Sequence, residues 1–239
     1  MRQQLKSVAI SLAERSLLVP WLANVGAFTI LASSVLSNRY QDKPREFSES
    51  VGNIGNSRSP LNDLELNFFA RVAIERRPSF IIELGSYTLV RTRTLSELFP
   101  DIKVYGLDVT RDYLEPRIVN GVNIGPNTPE MISQIAAQGS GLICTRGTLC
   151  YYSEEELRDF FVLAFNHKID LAISEPNTIG EESIQRSIPR TRATFYHPYL
   201  KLLRETGYTL PDNEGRQIQC SISEFGENGT FICAIANKQ

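Results

Sequence analysis

The sequence predicts an α/β fold with a doubly wound, mostly parallel sheet, and three observations carry that reading. From Ser59 onward, short apolar runs alternate with segments of helical periodicity, the pattern of strands joined by crossover helices. The runs, such as Phe80-Ile81-Ile82 with Leu84, lack the polar alternation of a sheet with one wet face, as expected of strands covered on both sides. Two last runs, Gln217 to Phe225 and Thr230 to Ala236, flank Gly226-Glu227-Asn228-Gly229, the turn chemistry of an antiparallel hairpin. The expected architecture is a Rossmann-like doubly wound sheet with a C-terminal antiparallel hairpin and an N-terminal helical cap.

Each element has a local cause. Ser59-Pro60 is an N-cap followed by proline at the first helical position, and Leu61, Leu64, Phe68 and Val72 recur at helical spacing toward Arg76. Phe80 to Leu84, closed by Gly85, is the first strand. Leu89 to Phe99 reads as helix and Lys103 to Leu107 as the second strand, while Ile118 to Ile124 reads as a weaker third strand. Thr128-Pro129-Glu130 opens a helix to about Gln138, and Gly141 to Thr145 is the fourth strand. Ser153 with Glu156 three residues on is a capping box, which starts a helix reaching Asn166. Asp170 to Ser174 is the fifth strand and Tyr196 to Glu205 the last helix.

The first 58 residues differ in kind. No charge occurs between Arg15 and Arg39, and the run from Ser16 to Leu36 approaches the ~20 apolar residues that a bilayer span needs. Pro20, Asn24 and Gly26 interrupt it, and Glu14 before it argues against a signal peptide. The expectation is a pair of buried helices packed as a cap, followed by a polar linker or lid from Asn38 to Ser59, with residues 59–239 as the main domain. A membrane anchor through residues 16–38 is the alternative, so the expected compartment is the cytoplasm with membrane association left open. A homodimer is left open as well.

Composition removes several function classes. A net charge of -2 across 239 residues and a pI near 5.8 give no basic footprint for nucleic acid. The four cysteines form no CxxC pair and His167 and His197 stand far apart, so neither a disulfide framework nor a metal site is expected.

In a doubly wound sheet, ligands sit beyond the carboxyl ends of the strands where strand order reverses. The turn after the first strand and the acid ending the second converge there. Gly85 lets the backbone pass close to a ligand, and Asp108 offers two acceptor oxygens to a ribose. Glu83 orients the loop or reaches an amino group through water. The spacing from Gly85 to Asp108 is that of a nucleoside-binding unit.

These residues resemble the class I S-adenosylmethionine-dependent methyltransferases. Glu83-Leu84-Gly85-Ser86-Tyr87-Thr88-Leu89 looks like their acidic-x-Gly-x-Gly-x-Gly motif, Gly106-Leu107-Asp108 like the second motif, and Ser174-Glu175-Pro176-Asn177 like the segment after the fifth strand. Tyr87 and Leu89 stand where the family has its second and third glycines, which reshapes the pocket. The resemblance spans about Ser59 to Gln239. It implies S-adenosyl-L-methionine as cofactor, held by Glu83, Gly85, Ser86, Asp108, Arg146 and Gly147. Arg146 would hold an anionic group of cofactor or acceptor, or else is a surface arginine beyond the strand, and Gly147 would pass near the sulfonium.

His197 and Glu175 are the candidate catalytic residues. His197 lies at the entry to the last helix and has the proton affinity for a base near neutral pH; a packing histidine is the plain alternative. Glu175 follows the fifth strand and can accept from an acceptor hydroxyl, or else cap a turn. Tyr151 and Tyr152 either wall the pocket or cover a helix start. The function that follows is methyl transfer to a small molecule, with a hydroxyl of a sugar or other natural product as acceptor. The rivals are a non-catalytic binding module whose cofactor loop has closed and a membrane-associated methyltransferase of a lipid-linked glycan.

Overall fold

The computed structural model describes residues 64–86, 89–110, 113–119, 121–176, 185–189, 194–210 and 229–236. The expected segments at residues 1–58 and the first arm of the terminal hairpin lie outside them. Seven strands form one sheet: β1 (Phe80–Leu84), β2 (Lys103–Asp108), β3 (Arg117–Val119), β4 (Val122–Pro126), β5 (Gly141–Arg146), β6 (Ile169–Pro176) and β9 (Gly229–Ala234). Their order is β3-β4-β2-β1-β5-β6-β9. The four inner pairings are parallel, and both outer ones, β3 with β4 and β6 with β9, are antiparallel. The chain runs outward from β1 through β2 to one edge and then returns to β5 on the other side of β1. The crevice between the ends of β1 and β5 is therefore the switch point.

Helices cover both faces, which is why the central strands are buried along their whole length. On one face α1 (Leu64–Arg76) and α2 (Val90–Leu98) bury Phe69, Val72 and Leu95 against Ile81, Val104 and Leu142. On the other, α3 (Pro129–Ala136), α4 (Glu154–Asn166) and α5 (Tyr199–Thr206) bury Ile132, Phe161 and Leu203 against Ile82, Leu107 and Ile143. Emptying one such position costs about 2–5 kcal/mol, which makes this double layer the main source of stability.

Register is set by shape as well as by hydrogen bonds. Phe80 lies opposite Gly141, and a side chain at Gly141 would meet the Phe80 ring at 2.1 Å. The glycine is the seat of that ring. Arg76 at the end of α1 pairs with the buried Asp170 on β6 at 2.8 Å, and Asp170 also accepts the Ala236 amide at 3.0 Å. One carboxylate thus ties a helix and the last described residues to the same strand.

The helix starts read from sequence hold at α3 and α4. Thr128 accepts the Met131 amide ahead of Pro129, and Ser153 and Glu156 form a reciprocal capping box. Two expectations are corrected. The single strand read over Ile118 to Ile124 is a hairpin, β3 and β4, turning at Gly121 with φ of 81°; the Asn120-Gly121 pair is its sequence signal. The last helix starts at Tyr199, not Tyr196, because Phe195–Tyr196 (β8) pairs with Ile188–Pro189 (β7) in a small antiparallel ribbon ahead of Pro198.

Candidate functional site

At the switch point, Gly85 leaves β1 with φ of 73°, a conformation that favours glycine. The space where its side chain would be is filled by this protein itself: a Cβ there would lie 2.1 Å from the Thr148 hydroxyl. Thr148 Oγ1 sits 3.1 Å from the carbonyl of Leu84 and 3.2 Å from that of Arg146, so its one proton joins the loop after β5 to the end of β1. The close approach expected at Gly85 is made by Thr148, a residue the sequence reading passed over.

The rest of the loop is held from below. Glu83 is buried, accepts the Thr92 hydroxyl from the first turn of α2 and lies 3.9 Å from the Arg91 guanidinium. It orients the loop by gripping the helix that follows. Leu89, at the family's third glycine position, keeps a left-handed backbone with φ of 59°. Its side chain packs with Tyr113, Val122 and Ile124. The chain thus retains the turn that a glycine would give, with an apolar anchor beneath it. Ser86 is buried over Gly106 of β2, and its hydroxyl has no hydrogen-bond partner.

Asp108 ends β2, buried, and its Oδ1 accepts the Thr110 amide at 3.0 Å. The carboxylate therefore caps its own turn as well as standing at the crevice. Thr110 is buried in turn, and its hydroxyl also lacks a partner. Across the crevice, Asn127 donates to the Tyr152 hydroxyl at 3.0 Å, and Tyr152 stacks on Phe160. Burial pushes the Tyr152 pKa up to about 12, against the pull of the Asn127 hydrogen bond.

After β5, Gly147 has φ of 58°, and no atom lies within 4 Å of where its side chain would be. It is the open point of the loop. Arg146 beside it is not left for an anion: its Nε pairs at 2.9 Å with Glu65 of α1.

Both expected catalytic residues are buried. Glu175 is buried, and its carboxylate accepts the amides of Thr148 and Leu149 at 3.0 Å, that of Cys150 at 3.2 Å and the Thr145 hydroxyl at 3.1 Å. Burial raises its pKa, and those donors pull it back down. It anchors the one-turn 3-10 helix Leu149–Tyr151 instead of meeting an acceptor. His197 is fully buried between the Phe195 and Tyr199 rings, with Nδ1 2.7 Å from the Ser187 hydroxyl. Burial lowers its pKa from 6.5 to about 3, outweighing Glu154 and the carbonyls of Tyr152 and Leu149. A base must be reachable and must hold a proton near the working pH; the burial of His197 and the lowered pKa that follows from it oppose that role.

That burial has a measurable consequence. Above pH 6.5 neither the folded nor the unfolded chain protonates His197. Between 6.5 and 3 the unfolded chain takes a proton that the folded one refuses, so its contribution to stability is lost as pH falls through that window. Relative to His197→Asn, the native protein should lose up to about 1.4 kcal/mol per pH unit there. Urea unfolding of both at pH 7 and pH 5 reads this difference; parallel losses would place the ring in water.

No family model matches the chain, and no curated protein sequence matches it. Solved structures do match. An O-methyltransferase family protein from Burkholderia thailandensis is 13% identical with a TM-score of 0.51, covering 92% of this chain and 70% of that one. The methyltransferase domain of bacterial CtHen1-C is 16% identical with a TM-score of 0.51, covering 74% of this chain and 100% of that one. The CMeT domain of the citrinin polyketide synthase is 15% identical with a TM-score of 0.51, over 81% of this chain and 57% of that one. The chain has the Rossmann-like fold of the class I methyltransferases, with β9 antiparallel at the sheet edge.

Proposed function

From this fold we propose that the chain is an S-adenosylmethionine-dependent methyltransferase acting on a small molecule, at a hydroxyl of a sugar or another natural product. One observation carries the reading: an acid, two unpartnered buried hydroxyls and an open left-handed glycine gather at the switch point of this sheet. Buried hydroxyls without partners are costly, about 1–3 kcal/mol each, unless something completes them. A nucleoside with a short polar tail fits that set. A dinucleotide fits it poorly, since a pyrophosphate needs glycine-lined access to a helix N-terminus, and Leu89 occupies that place here.

In this reading Asp108 takes the ribose, Ser86 and Gly85 border the chain leading away from it, and Gly147 gives the methyl donor and the acceptor room to meet. The cofactor, when bound, supplies an electrophilic methyl group on sulfur. This chain's own contribution is position: Glu83 and Glu175 hold the two loops, and Thr148 ties one to the other. Alignment of reacting groups alone can supply about 7–11 kcal/mol of a barrier, so the loss of His197 and Glu175 as acid–base groups leaves the chemistry intact. The named compartment is the cytoplasm.

The test is calorimetric titration with S-adenosylhomocysteine. The native chain should bind it, and Asp108→Ala should weaken binding by about 1.5–3 kcal/mol, the range for a hydrogen bond to a charged group. Unchanged affinity in a folded variant would remove Asp108 from the site. A screen of small molecules for transfer of labelled methyl groups then identifies the acceptor.

A further inference from the structure

Asp108 cannot offer a ribose everything that a free carboxylate would. Oδ1 already accepts the Thr110 amide at 3.0 Å. The residue that engages this oxygen carries a hydroxyl of its own, 4% exposed as a residue and without a hydrogen-bond partner. Thr110 is also fixed at its other end, where its carbonyl accepts the Tyr113 amide at 3.0 Å. The backbone is pinned on both sides, which fixes Thr110 next to Asp108 in the turn after β2. Such a hydroxyl donates and accepts, and so does each hydroxyl of a ribose.

We propose that Thr110 is a ribose-recognition residue: its hydroxyl pairs with one of the two ribose hydroxyls while Asp108 takes the other. The inference rests on reading this crevice as an S-adenosylmethionine site. It assigns the turn after β2 a role in specificity, since a ribose lacking the matched hydroxyl leaves Thr110 as it is without ligand, desolvated and unpaired.

Thr110→Val keeps the shape and β-branching and removes only the hydroxyl. Calorimetry with S-adenosylhomocysteine and its 2′-deoxy and 3′-deoxy analogues reads the pairing. The variant should bind the full ribose roughly 3- to 10-fold more weakly, the range for one neutral hydrogen bond. It should match the native protein for one of the two deoxy analogues, and Thr110→Ser should restore affinity for the full ribose. A structural role would move none of this selectively. The ligand-free thermal midpoint gives a second, opposite readout: loss of an unpaired buried hydroxyl should leave it unchanged or raise it.

Equal loss for all three ligands, no loss for any, or a falling ligand-free midpoint overturns the assignment. If the native chain binds S-adenosylhomocysteine and the variant shows no selective loss, only Thr110 is dismissed. If the native chain binds none of the three, the cofactor reading fails and this inference falls with it.

Discussion

Replacing Glu175 by leucine is expected to remove roughly 3–9 kcal/mol of stability, because it strands the Thr148, Leu149 and Cys150 amides, each worth about 1–3 kcal/mol when left unpaired. That is a large share of the ~5–15 kcal/mol that keeps a domain folded. Glu175→Gln keeps the shape but turns an amide N–H₂ toward backbone donors, so its loss should be smaller yet still well above 1 kcal/mol. Chemical denaturation of the three proteins measures the series. A loss below about 1 kcal/mol in Glu175→Leu would mean that the turn finds other acceptors. Because the same turn begins beside Gly147, cofactor binding should fall in step with the fraction of molecules in which it has opened.

Gly85→Ala should be comparably severe. An alanine held at φ of 73° costs about 1–2 kcal/mol in backbone strain, and its methyl would lie 2.1 Å from the Thr148 hydroxyl, an overpacking of about 1–3 kcal/mol. Thr148→Ala alone should cost about 1 kcal/mol, one hydrogen bond. Combining the two removes the clash while leaving the strain, so the double variant should be more stable than the sum of its parts predicts by at least about 1 kcal/mol. Additive losses would show that the two loops do not press on each other. Urea midpoints with a common slope give all four values.

What the sequence made legible follows distance along the chain. The capping box at Ser153 and the threonine cap before Pro129 are written within four residues, and both stand where expected. The buried central strands were readable for the same reason, since a strand covered on both faces must be apolar throughout. The misreadings involve partners far away in sequence. Glu175 is saturated by groups 25 to 30 residues earlier, and Arg146 meets Glu65 at a separation of 81. Nothing local marks either contact. His197 sits among aromatic residues that can equally line a pocket or fill a core, and only packing decides between them. The Asn120-Gly121 turn was a readable local signal, but the apolar residues around it favoured one continuous strand.

The antiparallel pairing of β6 with β9 sets a schedule on the ribosome. The 52 residues 177–228 separate the two strands, so at about 5–20 residues per second roughly 3–10 s pass between their syntheses. During that interval β6 is an edge of the nascent sheet, with unpaired amides and carbonyls able to recruit a neighbouring chain. Asp170 and Glu175 lie on this strand, and their partners Arg76 and the amides of Thr148, Leu149 and Cys150 are already synthesised when it emerges. The carboxylates can thus anchor α1 and the turn after β5 during the wait, before β9 closes the edge.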